Sequence, residues 1–160
     1  MPIYVDESGK PYEQAKAILI MLAMKHGLEP KSADEMYELN WYYETVADHD
    51  PDAVHNAVFT DDASAELIDK CVDVTIKMMN KMEARWADGR AHCSGANVTA
   101  ADFTFLTDFT KLIANTNLKN KVISDRLLAH FNTLPNHQRV LNGVKSDCQS
   151  VIDALPPSWC

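Results

Sequence analysis

The sequence predicts a mainly α-helical protein that begins with a short β-hairpin. Residues of high β propensity flank turn-forming residues near the start of the chain. Apolar residues then recur at helical spacing along most of the remaining sequence, and capping patterns mark where several of the helices begin. The 160 residues suit one domain, or one domain with a fragment of another.

The hairpin and the first helix are predicted from local chemistry alone. Ile3 to Val5 have high β propensity, Ser8 to Pro11 are typical turn residues, and a second short strand is expected over Pro11 to Glu13. From Glu13 the apolar spacing changes to that of a helix, which ends after His26 because a glycine follows.

A linker at residues 29–32 leads into a chain that is predicted to be helical almost throughout. Ser32 followed by Glu35 is a capping pattern, and it opens a long helix that is interrupted or kinked at residues 49–51, where Pro51 lies. Further helices are predicted from about Ser64, from Thr99 to about Ala114, from about Lys119 to Phe131, and from Asn136 to Leu155.

The helix that begins at Thr99 has the strongest start signal in the sequence. Thr99 at the N-cap and Asp102 three residues later match a capping box, with Asp in place of the more usual Glu or Gln. The negative charge of Asp102 also suits the positive end of the helix dipole. We therefore assign these two residues a structural role as an N-cap, and we expect this helix to be buried.

Charge and composition restrict the classes of partner. The formal net charge is −8 and the isoelectric point is about 5.1, so a basic field for nucleic acid or an anionic membrane is absent from the sequence. The four cysteines show neither CxxC pairing nor a metal-ligand spacing with the histidines. No secretory signal pattern or membrane-length apolar run is visible. We expect a cytoplasmic protein without a metal ion, a nucleic-acid partner or a membrane partner.

The sequence contains few features that are typical of a catalytic or metal-binding site. The sequence contains no HExxH, GxSxG, P-loop or dinucleotide-binding motif. His49 lies among Asp48, Asp50 and Asp52, which are expected to raise its basicity and either attract a cation or form a solvated acidic loop. Cys93 follows His92 in a glycine-containing loop, but adjacency in sequence does not establish spatial geometry, so a cysteine that takes no part in chemistry is favoured over a reactive thiol.

Four stretches follow one another in a distinctive order: MPIYVDESGKPYEQAKAILIMLAMKHGL, LNWYYETVAD, the segment from Gly95 to Leu106, and HFNTLPNHQRVL. Together they resemble the cytosolic glutathione S-transferase family. The first is similar to the strand, turn, strand and helix that close the family's thioredoxin-like half, and the other three are similar to parts of its all-helical domain. The resemblance implies a remnant of the thioredoxin-like domain over residues 1–30 and an all-helical glutathione-transferase domain over residues 31–160.

The resemblance implies that the chain binds glutathione, a small-molecule thiol, as substrate or ligand. Pro2 lies at the family's cis-proline, and Met1 before it would offer its backbone to the cysteinyl part. Gln14 corresponds to the Gln of a Gln-Ser pair that holds the γ-glutamyl group at a helix N-terminus, whereas Ala15 stands at the position of the Ser. Asp48 corresponds to the acidic residue that the family lends across its dimer interface to the γ-glutamyl ammonium group.

The same resemblance implies an apolar co-substrate beside the long helix, near Trp41, Tyr42 and Tyr43. The family's first strand, first helix and second strand would precede Met1, so the chain resembles an N-terminally truncated member. The catalytic Tyr, Ser or Cys of the family consequently has no counterpart here, and the catalytic residue is unknown.

Truncation of this kind would leave one strand edge unpaired and one apolar face of the first helix uncovered. Burial of each large apolar side chain contributes roughly 1.5–3 kcal/mol, so we expect a homodimer or a second chain that supplies the missing strands. Two functions stay open: glutathione binding with conjugation to apolar electrophiles, and a non-catalytic interaction or structural module. A processed or incomplete form of a normal enzyme is compatible with the same residues.

Overall fold

The computed structural model of the protein describes the backbone of residues 3–154 and the side chains of residues 3–149. Within this range a two-stranded antiparallel sheet precedes seven α-helices. The mainly helical class predicted from the sequence is therefore confirmed. Two of the residues assigned to glutathione by resemblance, Met1 and Pro2, lie outside the described residues.

The hairpin consists of β1 (Ile3–Val5) and β2 (Pro11–Glu13), as the sequence predicts. The side chain of Asp6 shapes the turn between them, because one of its oxygens accepts the backbone N–H groups of Ser8 at 2.9 Å and Lys10 at 3.0 Å. The hydroxyl of Ser8 donates to the same oxygen at 2.6 Å. This bond contributes most, together with the backbone bonds, to lowering the pKa of Asp6 to about 2. The turn is thus fixed by one ionised carboxylate.

Apart from α3, the helices follow the predicted order. They are α1 (Ala15–Lys25), α2 (Ala33–Ala47), α3 (Pro51–Phe59), α4 (Ala65–Arg85), α5 (Ala100–Asp108), α6 (Lys121–Phe131) and α7 (Pro135–Ala154). A 3-10 turn, Trp86–Asp88, follows α4, and a π-helical turn, Phe109–Ile113, continues α5. The side-chain oxygens of Ser32 and Ser64 accept backbone N–H groups in the first turns of α2 and α4.

A separate helix, α3, lies where the sequence predicts only an interruption. Asp50 caps it, because its side chain accepts the backbone N–H of Ala53 at 3.0 Å. Pro51 occupies the first turn, where the proline's missing N–H costs nothing. The break between α2 and α3 therefore ends one helix and starts another.

The core surrounds α5. This helix packs against α1, α2 and α7, while α4 packs against α3, α6 and α7. Trp86 is completely buried, and its indole N–H donates to the carbonyl oxygen of Cys93 at 3.2 Å. The other large side chains that are fully buried in the core include Leu39, Tyr42, Met79, Met82, Ile123, Leu127 and His137.

Candidate functional site

The start of α1 is where the resemblance to the glutathione S-transferases would put the γ-glutamyl group, and its backbone is unusual. Gln14, at the N-cap of α1, has φ 73° and ψ 102°. It is the one non-glycine residue with positive φ in the described part of the chain. Such backbone is costly for a residue with a Cβ, and strain of this kind clusters at binding and catalytic sites.

The strained backbone leaves the start of α1 open. Gln14 makes no side-chain capping bond to the helix, although its carbonyl oxygen accepts the N–H of Ile18 at 2.9 Å. The first turn contains no acidic residue, and both Gln14 and Ala15 are exposed. The first N–H groups of a helix have no partners within it, so this end of α1 presents donors to solvent. A carboxylate is the ligand group that best fits such a terminus.

Lys16 connects the start of α1 to α2. Its ammonium nitrogen lies 2.7 Å from a carboxylate oxygen of Glu44 and 5.1 Å from the ring centre of Tyr43. The ion pair is exposed and contributes little to stability, but it locates the first turn of α1 beside the C-terminal part of α2. Asp48 caps the end of α2 one helical turn after Glu44. Gln14 therefore lies at the start of α1 and Asp48 at the end of α2, the two helices that this ion pair joins.

Asp48 lies on a groove between α2 and α4. The carboxylate is exposed, and the groove has a volume of about 470 Å³. Acidic residues lie on its α2 side and lysines on its α4 side, so the groove carries both charges. Its lining consists of Thr45, Asp48, His49, Asp50, Val74, Lys77, Met78 and Lys81.

The aromatic stretch assigned to an apolar co-substrate divides between core and surface. Tyr42 and Tyr43 are buried, with 1% and 8% of their surfaces exposed. Burial raises the pKa of both phenols. The side chain of Trp41 is half-buried at the surface of α2, and Lys81 and Arg85 of α4 lie over its ring at 5.6 and 5.4 Å. Of the three, Trp41 alone has a partly open face.

An unforeseen carboxylate, that of Asp108, lies against the buried phenol of Tyr42. The Tyr42 hydroxyl donates to Asp108 at 3.3 Å, and burial raises the pKa of this carboxyl group to about 6. The hydroxyl of Tyr43 similarly lies 3.1 Å from that of Thr104. No local sequence signal marks the pairing of Tyr42 with Asp108, which joins residues 66 positions apart.

Thr99 and Asp102 form the capping box that the sequence predicts at the start of α5. The carboxylate of Asp102 accepts the N–H of Thr99 at 2.7 Å and that of Cys93 at 2.7 Å. Cys93 is buried, and burial raises the pKa of its thiol well above the usual value. A buried thiol with a raised pKa is unreactive, so Cys93 contributes to packing.

The histidines near acidic residues have ordinary partners. The Nε2 atom of His92 is 2.9 Å from Asp147, and that of His49 is 3.2 Å from the hydroxyl of Thr75. Burial lowers the pKa of His49 and outweighs the charge of Asp50. The expectation that neighbouring aspartates raise the basicity of His49 is therefore wrong, because its ring is turned toward α4 and partly desolvated.

Two general findings concern the described residues as a whole. Across residues 3–149, no set of three or more His, Cys, Asp or Glu side chains is arranged to hold a metal ion. None of the described helices is both long enough and apolar enough to cross a bilayer.

Comparison with known proteins assigns the chain to no family. No protein-family model matches the sequence, and no curated protein matches it.

Proposed function

We propose that the protein is a glutathione-binding homologue of the cytosolic glutathione S-transferases and conjugates glutathione to apolar electrophiles. The site lies at the N-terminus of α1, where Gln14 and the first N–H groups of the helix hold the γ-glutamyl carboxylate. Glutathione is the substrate, and its thiol sulfur is the atom that attacks the electrophile.

The positive-φ backbone of Gln14 is the observation that carries this proposal. A non-glycine residue at φ 73° costs free energy that packing elsewhere must offset. Glycine would adopt this conformation without that cost, but only the glutamine side chain supplies an amide at this helix end. The amide of Gln14 can donate to a carboxylate held at the same helix end.

Charge supports the same ligand. The γ-glutamyl group carries a carboxylate and an ammonium group, which need a donor and an acid respectively. The α1 terminus supplies donors, and Asp48 at the end of α2 supplies an acid. In the family that the chain resembles, this acid comes from the other subunit, so we propose a homodimer in which Asp48 of a second copy, and not Asp48 of the same chain, supplies the acid to each site.

A second candidate function is glutathione binding without catalysis. Ala15 favours it, because the hydroxyl that the family's serine would donate at this position is absent. Lowering the pKa of a thiol requires a donor or a positive charge directed at the sulfur. The two functions predict the same binding and differ only in conjugating activity.

Titration calorimetry with glutathione tests the binding, with the dipeptide Cys-Gly as the matched ligand that lacks the γ-glutamyl group. We expect glutathione to bind and Cys-Gly to bind at least tenfold more weakly, since a hydrogen bond to a charged group is worth about 1.5–3 kcal/mol. Equal affinity for both ligands would remove the γ-glutamyl assignment.

The variant Gln14→Gly separates strain from binding. Glycine tolerates positive φ, so this variant is expected to be more stable than the wild type by about 1 kcal/mol. It is also expected to lose about tenfold in glutathione affinity, because one donor to a charged group is removed. Glu13→Ala, an exposed neighbour outside the helix, is the control that retains affinity.

Two further measurements distinguish the candidates. Light scattering in the titration buffer gives the mass, for which we expect a dimer. Spectrophotometric assay with an activated aryl halide gives the conjugation rate, for which we expect turnover that depends on glutathione. Binding without turnover would establish the second candidate.

A further inference from the structure

The contact between His137 and Glu83 fastens α7 to α4. The carboxylate of Glu83 accepts the backbone N–H groups of Asn136 and His137, each at 3.0 Å. The same carboxylate lies 2.9 Å from Nδ1 of the His137 ring. One side chain of α4 thus caps the N-terminus of α7 and holds its first buried side chain.

These contacts determine the tautomer of His137. Burial alone would raise the pKa of Glu83, but His137 and the N–H of Asn136 outweigh it and hold that pKa below its usual value. Glu83 is therefore ionised and can only accept, so Nδ1 of His137 carries the proton. The other ring nitrogen, Nε2, is then an unprotonated acceptor.

This Nε2 atom is buried and has no hydrogen-bond partner among the described residues. The imidazole is 1% exposed. Aromatic rings surround it, with centroids at 4.8 Å for Trp86, 6.0 Å for Phe105 and 5.8 Å for Phe131. A proton added at Nε2 would therefore create a cation whose new N–H has no acceptor among the described residues.

We propose that His137 and Glu83 form a proton-sensitive latch for α7, which is closed while His137 is neutral and is weakened by acidification. When the N-terminus of α7 detaches, Nε2 reaches water and takes up a proton from solvent. The detached state is thereby stabilised at low pH relative to the docked state.

Burial and the charged groups around His137 together determine the direction in which its pKa is shifted. Burial is the largest influence and lowers the pKa of His137, Glu83 on α4 opposes it, and His130 on α6 adds to the lowering. Arg139 on α7 donates to the carbonyl oxygens of Trp86 and Arg90. Phe105 on α5 contributes no charge. The net result is a folded pKa below the ordinary value of 6.5.

Denaturant unfolding of the full chain at pH 7.5 and pH 5.5 tests the latch, with His137→Asn as the non-titrating variant. The Asn amide can take the place of Nδ1 as donor to Glu83. For one group with an unfolded pKa near 6.5, acidification over this range lowers the folding equilibrium constant by up to about tenfold. We expect wild type to show this loss relative to His137→Asn, and His26→Asn, at an exposed site, to behave like wild type.

Hydrogen exchange then locates the effect. After correction for intrinsic rates, amides in the first turns of α7 are expected to exchange faster at pH 5.5 in wild type. Equal pH dependence in wild type and His137→Asn would overturn the proposal, as would a change confined to other helices. If the variant does not fold, NMR titration of wild type decides: an Nδ1–H tautomer with a pKa below 6.5 supports the latch, and a pKa at or above 6.5 overturns it.

Discussion

The carboxylate of Asp102 accepts the backbone N–H of Thr99 at 2.7 Å, and both residues are completely buried. The other carboxylate oxygen accepts the N–H of Cys93 at the same distance, 2.7 Å. One side chain therefore fixes the start of α5 and the loop that precedes it. Since α5 packs against three other helices, this carboxylate lies at the centre of the fold.

Replacement of Asp102 by Asn is expected to destabilise the protein by about 2–3 kcal/mol. The two side chains have the same shape, but Asn has one acceptor oxygen, so its NH₂ group would face one of the two backbone N–H groups. Denaturant unfolding measures the loss. Asp125→Asn, in an exposed pair with Lys121, is the control and should change stability by less than about 0.5 kcal/mol.

Glu38 is the next side chain whose loss should be severe. Its carboxylate pairs with the guanidinium groups of Arg85 and Arg90, and the residue is 8% exposed. Glu38→Gln is expected to cost about 2 kcal/mol, because it removes the charge that Arg85 and Arg90 share, while Asp88 still pairs with Arg90. Asp69→Asn, in an exposed pair with Arg126, is the matched control with an expected cost below about 1 kcal/mol. Similar losses in both variants would contradict the assignment.

Local elements of this fold were predictable because their causes are local. The hairpin follows from turn residues, and the starts of α2, α4 and α5 follow from the caps at Ser32, Ser64 and Thr99. The separate helix α3 and the π-helical turn after α5 were not predicted. In the latter, the N–H of Ala114 bonds to the carbonyl of Phe109, a five-residue step that no periodicity in the sequence marks.

The polar contacts of the candidate site were less accessible to sequence reasoning. Gln14 was assigned by resemblance, but its positive φ has no signature in the residues around it. The Lys16–Glu44 contact joins positions 28 apart, and the His137–Glu83 contact joins positions 54 apart. The basicity of His49 was predicted with the wrong sign, because neighbouring aspartates are visible in the sequence whereas burial is not.

Asp108 should make stability fall as the pH rises through about 6. Burial raises its pKa from 3.8 to about 6, so the folded protein retains a proton that the unfolded chain releases. This contribution is complete below about pH 4 and is lost by about pH 7, which corresponds to about 2–3 kcal/mol. Asp108 therefore makes the protein less stable as the pH rises, whereas His137 makes it less stable as the pH falls. Comparison of wild type with His137→Asn separates the two effects, because both proteins contain Asp108.

Asp108→Asn is the variant that checks this prediction. Its side chain stays neutral and can still accept from Tyr42, so its free energy of unfolding should match wild type near pH 4 and exceed it at pH 7. Tyr42→Phe should have the reverse effect at pH 7, because it removes the hydroxyl that stabilises the ionised carboxylate. Denaturant unfolding across this pH range measures both. A pH profile of Asp108→Asn that is parallel to that of wild type would show that Asp108 titrates normally.

Gly143 in α7 is expected to resist substitution even by alanine. A Cβ at this position would lie 2.3 Å from the carbonyl oxygen of Ala91, so either α7 or the loop before α5 must move. Alanine favours helix by about 1 kcal/mol over glycine, whereas overpacking costs about 1–3 kcal/mol. Because the clash is with backbone, we expect the free energy of unfolding of Gly143→Ala to fall by about 2 kcal/mol.

Ser146→Ala, at an exposed position of α7, supplies the control, and it should be slightly more stable than wild type. If Gly143→Ala is as stable as Ser146→Ala, Ala91 does not pack against α7.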